Sequence, residues 1–457
     1  MAESADPGQP GGKLPQPEGK LPQPADELSR PAGPADPARR SFLRGLAGGV
    51  AGGVIAGGAA GAAGGYAYRG SRPDPAAVTE DTDLAAGRLP AVPFHGRHQS
   101  GILPGPQQQT AVAAFRVTAA SRAELTDLMR TVTDRARFLT AGGLPSPAGI
   151  GGPPSDSGVL GPDVVPDGLT VTAAVGSTLF DGRYGLAPQR PANLTPMRAF
   201  PNDNLDPAQT GGDLLLQFSA GHADTVLHAL RDVARHTRGG MQAVWRIHGF
   251  SSPARPAGTV PRNLMGFMDG ISNPATASRT QMDSLVWIQP GAAGEPAWTA
   301  GGSYLVVRLI RMFVEFWDRV SINEQEKMFG RRRDTGYPLD SISIHATPDF
   351  ANDAAGDVIP LSAHIRLANP RTPQTAASRI LRRGYNYDRG IDEVGDLDMG
   401  LIFTCFQQDI KRQFEAVQTR LIDEPLVDYI SPFGGGYFLA LPGVTGPADY
   451  YGRALLA

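Results

Sequence analysis

Beyond residue 100, apolar positions recur in two rhythms that alternate along the chain. Runs at 110–117, 169–175, 213–219 and 241–248 read as strands. The unbroken apolar stretch at 213–219 marks a strand buried on both faces. Between them lie an amphipathic helix at 122–136, followed by a Pro/Gly-rich loop to about residue 167, and a second helix at 223–236. The second helix sets Val226, Leu227, Leu230 and Val233 on one side. The order then repeats. A strand at 302–310 precedes a helix that starts at 313–320 and runs on to about Phe329. A short strand at 363–367, a longer one at 401–407, a helix at 411–421 and a last strand at 437–441 follow. Two successive β-α-β blocks predict an α+β fold of two ferredoxin-like domains, antiparallel sheets with packed helices, over residues 94–255 and 256–457.

Composition narrows the chemistry. A chain of 457 residues has room for two or three cores. A net charge of −3 gives no electrostatic case for nucleic acid. The run Arg331-Arg332-Arg333 reads as a solvated face. Cys405 is the one cysteine, which excludes intrachain disulfides, Cys-rich zinc sites and iron–sulfur clusters. It sits in the apolar run 401–406 and reads as a packed core residue. No C-x-x-C-H occurs, so any haem is held non-covalently.

The first 38 residues are Pro/Gly-rich and polar. Arg39-Arg40-Ser41-Phe42-Leu43-Arg44 and a Gly/Ala-rich stretch to about Gly65 follow, then a linker at 71–93. Paired arginines ahead of a weakly hydrophobic core resemble a twin-arginine (Tat) export signal. A transmembrane anchor is the alternative, although Gly and Ala dominate where Leu, Ile and Val would drive insertion. Export by this route places the protein in the periplasm, the cell envelope or the medium.

Two motifs offer a site. Gly266-Phe267-Met268-Asp269-Gly270 continues through Ile271-Ser272-Asn273-Pro274 and puts a carboxylate in a glycine-bracketed turn, where backbone can approach a flat ligand. Ser362-Ala363-His364-Ile365-Arg366 continues to Asn369-Pro370-Arg371 and offers a histidine between apolar neighbours. An imidazole on one face of a haem iron and an acid on the other would split peroxide. His95 and His98 form an H-x-x-H pair with no third ligand nearby, so hydrogen bonding is expected of them.

Together with Ile380-Leu381-Arg382-Arg383-Gly384-Tyr385-Asn386-Tyr387, His98-Gln99-Ser100-Gly101-Ile102, Gly302-Ser303-Tyr304-Leu305-Val306-Val307-Arg308 and Gly434-Gly435-Gly436-Tyr437-Phe438, these motifs resemble the dye-decolourising peroxidase family over about residues 90–450. The twin-arginine segment resembles that of the exported subclass related to the deferrochelatase/peroxidase of bacterial iron uptake. The resemblance implies one non-covalent haem b per chain, held mainly by the C-terminal domain. It implies His364 as the iron's axial ligand, Asp269 as acid/base, and Arg382 and Asn273 beside it. Gly270, Ile271, Ser272, Asn369, Pro370 and Arg371 would contact the cofactor together with Arg382. An acid near the C-terminus would accept from the axial imidazole, with Asp428 the first choice and Asp409 the second.

The implied activity reduces hydrogen peroxide and oxidises organic donors in one-electron steps through a ferryl intermediate. An aspartate's reference pKa of about 3.9 then implies fastest turnover in acid. Tyr385, Tyr387, Tyr337 and Trp317 are candidate radical carriers at the surface, with packing as the alternative. A second reading is a deferrochelatase or ferrous-iron oxidase beside an iron-uptake permease and a cupredoxin-like partner. A third is a haem carrier, which would need neither Asp269 nor Arg382. A homo-oligomer is open in each case.

Overall fold

The computed structural model describes residues 88–457; the arm at 1–38, the twin-arginine segment and linker residues 71–87 lie outside the described residues. The end of the expected linker is tied down. Arg88 pairs with Asp224 at 2.9 Å, and the Leu89 amide donates to buried Asp167 at 3.1 Å.

The first half contains β1 (Gln109–Val117), α1 (Arg122–Ala141), β2 (Thr170–Gly176), β3 (Leu214–Ala220), α2 (Ala223–His236) and β4 (Met241–Phe250). Its strands lie in the order β2-β3-β1-β4, all antiparallel, which is the ferredoxin-like arrangement. α1 begins at Ser121, whose hydroxyl accepts from the Glu124 amide, and ends at Gly142 with φ 76°.

The second half opens with α3 (Arg279–Leu285) and β5 (Ser303–Met312). The short helices α4 (Val314–Trp317), α5 (Ile322–Phe329) and α6 (His364–Ala368) follow. β6 (Leu381–Arg382), β7 (Tyr385–Ile391) and β8 (Leu397–Gln407) come next. A π-helical turn at Lys411–Glu415 leads into α7 (Ala416–Arg420), and β9 (Ile430–Ala440) closes the sheet. The order β7-β8-β5-β9 repeats the first half's pattern. The halves meet at their edges. β2 pairs with β9 from Ala174↔Ala440 to Gly176↔Phe438, and β4 pairs with β7 at Phe250↔Asn386. The strands therefore form a closed ring.

Ring closure explains the apolar runs. Val112 and Ala114 of β1, and Leu305, Val307 and Leu309 of β5, point into one core with Trp245, Tyr385, Tyr387 and Phe438. Their neighbours Ala111, Ala113, Phe115, Tyr304 and Val306 belong to the core under the helices. Each of these strands is covered on both faces, so polar alternation is lost.

Two expected elements differ. The single helix from 313 to 329 is two, because Ser321 starts a new helix with a capping box to Glu324. The strand expected at 363–367 is helix α6. The amides of Arg366 and Leu367 donate to the Ala363 carbonyl, and Asn369 ends the turn. The alternation of Ala363, Ile365 and Leu367 has the period of a strand, but five residues are too few for that period to decide against a single helical turn.

Candidate active site

The loop bearing Asp269 is shaped by Asn263, whose side-chain oxygen accepts from the Met265 and Phe267 amides, both at 3.1 Å. Gly266 and Gly270 bracket it at φ 88° and 95°, where a side chain would strain the backbone. Beneath it an aromatic cluster fixes the loop. Trp317 Nε1 donates to the Met265 carbonyl at 3.0 Å, and Phe267 stacks on Phe329 at 3.8 Å. Asp269 reaches Arg382 Nη1 at 3.2 Å. Arg382 lies on β6, beside β8, where its backbone pairs with Cys405. Asn273 grips the same backbone twice. Its Nδ2 donates to the Arg382 carbonyl, and its Oδ1 accepts from the Arg382 amide, both at 3.0 Å. Asn273 thus positions Arg382.

His364 opens α6, with its ring 6.0 Å from that of Phe329. Its Nδ1–H donates to Glu424 Oε2 at 2.6 Å. The carboxylate expected from Asp428 or Asp409 is therefore Glu424. Asp428 lies in the 3₁₀ turn after it, while the Asp409 carboxylate accepts from the Arg412 amide. Glu424 is buried, and its attraction outweighs the desolvation of the ring, so the His364 pKa is raised above its usual value.

His364, Asp269 and Arg382 line one cavity of about 240 Å³, together with Phe329, Phe403 and Phe414. Ile271, Ser272, Asn369 and Arg371 also line it, whereas Gly270 lines a second cavity of about 160 Å³. The two cavities share Asn263, Asp269, Arg382 and Leu401. Pro370 lines neither; it follows the end of α6.

Sequence reasoning missed Arg331 and Arg379, which join Arg371 on the cavity wall. Burial lowers the pKa of all three. Arg371 and Arg382 lower Arg331 further, to about 10, and Arg379 adds to the depression at Arg371. Arg379 Nε is buried without a hydrogen-bond partner among the described residues. A cluster of guanidiniums that repel one another fits a ligand bearing carboxylates. The apolar walls fit a flat ring system, and an imidazole held at Nδ1 leaves Nε2 for a metal. The residues present fit haem.

Other expectations separate from this cavity. Trp317, Tyr385 and Tyr387 are buried in the cores, so they are not surface carriers; Tyr337 is partly exposed. His98 stacks on Trp287 and bonds the Gly301 carbonyl, while His95 accepts from Arg137. Cys405 is buried, and burial pushes its thiol pKa up.

Two ferredoxin-like halves, the second of which lines one cavity with a carboxylate-bound histidine and an Asp–Arg pair, define a peroxidase-type site. Residues 99–251 match the family model described as Dyp-type peroxidase, N-terminal, and residues 260–445 match Dyp-type peroxidase, C-terminal. The deferrochelatase of Escherichia coli strain K12 is 47% identical over 392 residues, 84% of this chain and 92% of that protein. The crystal structure of a DyP-type peroxidase from Cellulomonas bogoriensis is 35% identical with a TM-score of 0.72, covering 80% of this chain and 98% of that one. Ferric DtpA from Streptomyces lividans is 35% identical with a TM-score of 0.73, covering 82% and 99%. The chain belongs to the Dyp-type peroxidase family. It is a haem peroxidase, an oxidoreductase with hydrogen peroxide as acceptor.

Two predictions arise from the His364–Glu424 contact. Glu424→Gln removes the charge that orients the ring and raises its basicity. Haemin affinity should fall about 10–100-fold, read by Soret titration of the haem-free protein, with a rise in the iron's reduction potential. The second concerns pH. A proton and the iron compete for His364 Nε2, and the pKa of haem-free His364 lies above 6.5. Haemin affinity should be level above that raised pKa and fall about tenfold per pH unit below it. Titrations across pH 5–9 check this, and Glu424→Gln should move the break to lower pH.

Proposed function

We propose that this chain reduces hydrogen peroxide at a haem b and oxidises organic donors one electron at a time, with Asp269 and Arg382 as its catalytic groups and His364 as the axial ligand. The observation that carries this reading is that the Asp269–Arg382 pair and the His364–Glu424 pair line the same cavity. Haem would supply the iron at which the peroxide oxygen–oxygen bond opens. Arg331, Arg371 and Arg379 would hold its carboxylates. Asp269 takes a proton from the inner peroxide oxygen and returns it to the outer one. Arg382 stabilises the charge that develops as the bond opens, as a fixed cation in a confined site. Glu424 holds the Nδ1 proton of His364 and increases electron donation through Nε2. The second cavity gives a small molecule its own approach to Asp269.

The curated relatives named deferrochelatase favour a second reading, release of iron from haem. Incubating the purified, haem-loaded protein with peroxide and a dye separates the two. Dye oxidation with the porphyrin's iron retained supports the peroxidase reading. Iron-free porphyrin accumulating without dye oxidation overturns it.

Export by the twin-arginine route is the reading supported by residues 39–65. Replacing Arg39 and Arg40 with lysines should leave the protein inside the cell, as read by fractionation; undiminished export would refute it.

A further inference from the structure

One tyrosine–carboxylate pair lies outside the site described so far. Tyr304, on β5, is fully buried, and its hydroxyl donates to Glu295 Oε1 at 2.7 Å. The Asn193 amide donates to the same hydroxyl at 3.1 Å, and Asn193 Nδ2 reaches Glu295 Oε1 at 3.4 Å. Glu295 Oε2 is buried and has no hydrogen-bond partner among the described residues. Burial raises the pKa of this carboxyl, which favours its taking up a proton. Glu295 itself is only half-buried, and its neighbour Gly294 is exposed, so the pair ends at the protein surface.

The inner end leads back to the cavity. Phe414 lines the cavity wall and meets Tyr437 edge-on, with ring centres 5.9 Å apart. In the β5–β9 ladder Tyr437 lies opposite Val306 and Tyr304 opposite Leu439. Tyr437 and Tyr304 are therefore diagonal neighbours on one face, roughly 7–8 Å apart. The Tyr437 hydroxyl is buried without a hydrogen-bond partner among the described residues, unlike that of Tyr304. Glu415 lies near the Tyr437 hydroxyl without a formed hydrogen bond, whereas Tyr304 already donates to its carboxylate at 2.7 Å and so has an acceptor in place for its proton.

We propose that Tyr304 relays single electrons from donors at the Glu295 rim towards the cavity, with Glu295 accepting its phenolic proton. This rests on the peroxidase reading. Tyr304 loses one electron to the cofactor that peroxide has oxidised. Its O–H bond breaks, and a new O–H bond forms on Glu295 Oε1. Without that transfer, oxidation would leave a cation in an apolar core, which is costly. An organic donor of the phenol or dye class, too large for the cavity, then gives one electron to the neutral tyrosyl radical. Glu295 returns the proton, and the pair is restored.

The test uses the full haem-loaded chain, freeze-quenched with hydrogen peroxide in the absence of donor. Electron paramagnetic resonance with ring-deuterated tyrosine should show a neutral tyrosyl radical, and nitroso spin-trap adducts should map to the peptide containing Tyr304. Tyr304→Phe should remove that adduct while the Soret response to peroxide persists. Glu295→Gln should slow formation of the tyrosyl signal about 10²-fold, the lower end of what a positioned proton acceptor contributes. A tyrosyl signal whose adducts map elsewhere in the wild-type chain overturns the relay, even if the variants fail to fold. An unchanged rate in Glu295→Gln overturns the proton-acceptor role. If the wild-type Soret band does not respond to peroxide at all, the peroxidase reading itself has failed, which is a different result.

Discussion

Replacing His364 with alanine is expected to abolish stable haem binding. The imidazole is the one ring on the cavity wall with its far nitrogen free and its near nitrogen fixed by a carboxylate at 2.6 Å. Loss of an outer-shell partner costs roughly 10–100-fold in metal affinity, and loss of the ligand should cost more than that. Haemin titration should show a broadened, weak Soret band in place of saturation. The alanine leaves space beside Glu424, so added imidazole should restore part of the signal. A Soret band unchanged by the substitution would remove His364 from the account.

The second large effect concerns the Asp269–Arg382 pair that lines the same cavity. Asp269→Ala should lower the rate of the peroxide reaction by about 10²–10⁴-fold, the usual contribution of a positioned proton carrier. Arg382→Leu should lower it by about 10²–10³-fold, comparable to losing one preorganised donor at a developing charge. Because the two side chains touch, the double variant should lose less than the sum of the single losses. Stopped-flow measurement of the Soret change after peroxide addition reads both. Equal rates in wild type and both variants would move the chemistry elsewhere.

How much of this was legible in the sequence depends on distance along the chain. Asp269 and His364 each sit inside a compact motif with a backbone reason for its shape, glycines in one case and a helix start in the other. Glu424 gave no such sign. It lies sixty residues from His364 in sequence, between Asp423 and Asp428, and it is turned inward in a segment anchored by Leu426, which packs with Met265 and Trp317. Arg331 was read as solvated because its run of three arginines looks like a surface, yet the fold buries the first of them.

The secondary structure divides in the same way. Long apolar strands such as β3 were clear because both faces are covered. β6 and β7 escaped notice because Arg382 and Arg383, with Asn386, interrupt the apolar pattern for reasons that belong to the site. The helix expected from 313 to 329 failed at Ser321, a capping residue whose pairing with Glu324 outweighed continued periodicity.

The closed ring has a consequence for how the two halves depend on one another. Every residue on the wall of the larger cavity comes from the second half, yet that half ends on β7 and β9, and both are finished only by β4 and β2 of the first. Unpaired strand borders invite self-association. The first half therefore acts as a built-in chaperone: it contributes nothing to the wall around the larger cavity, but it denies neighbouring molecules the exposed backbone through which the other half would otherwise aggregate.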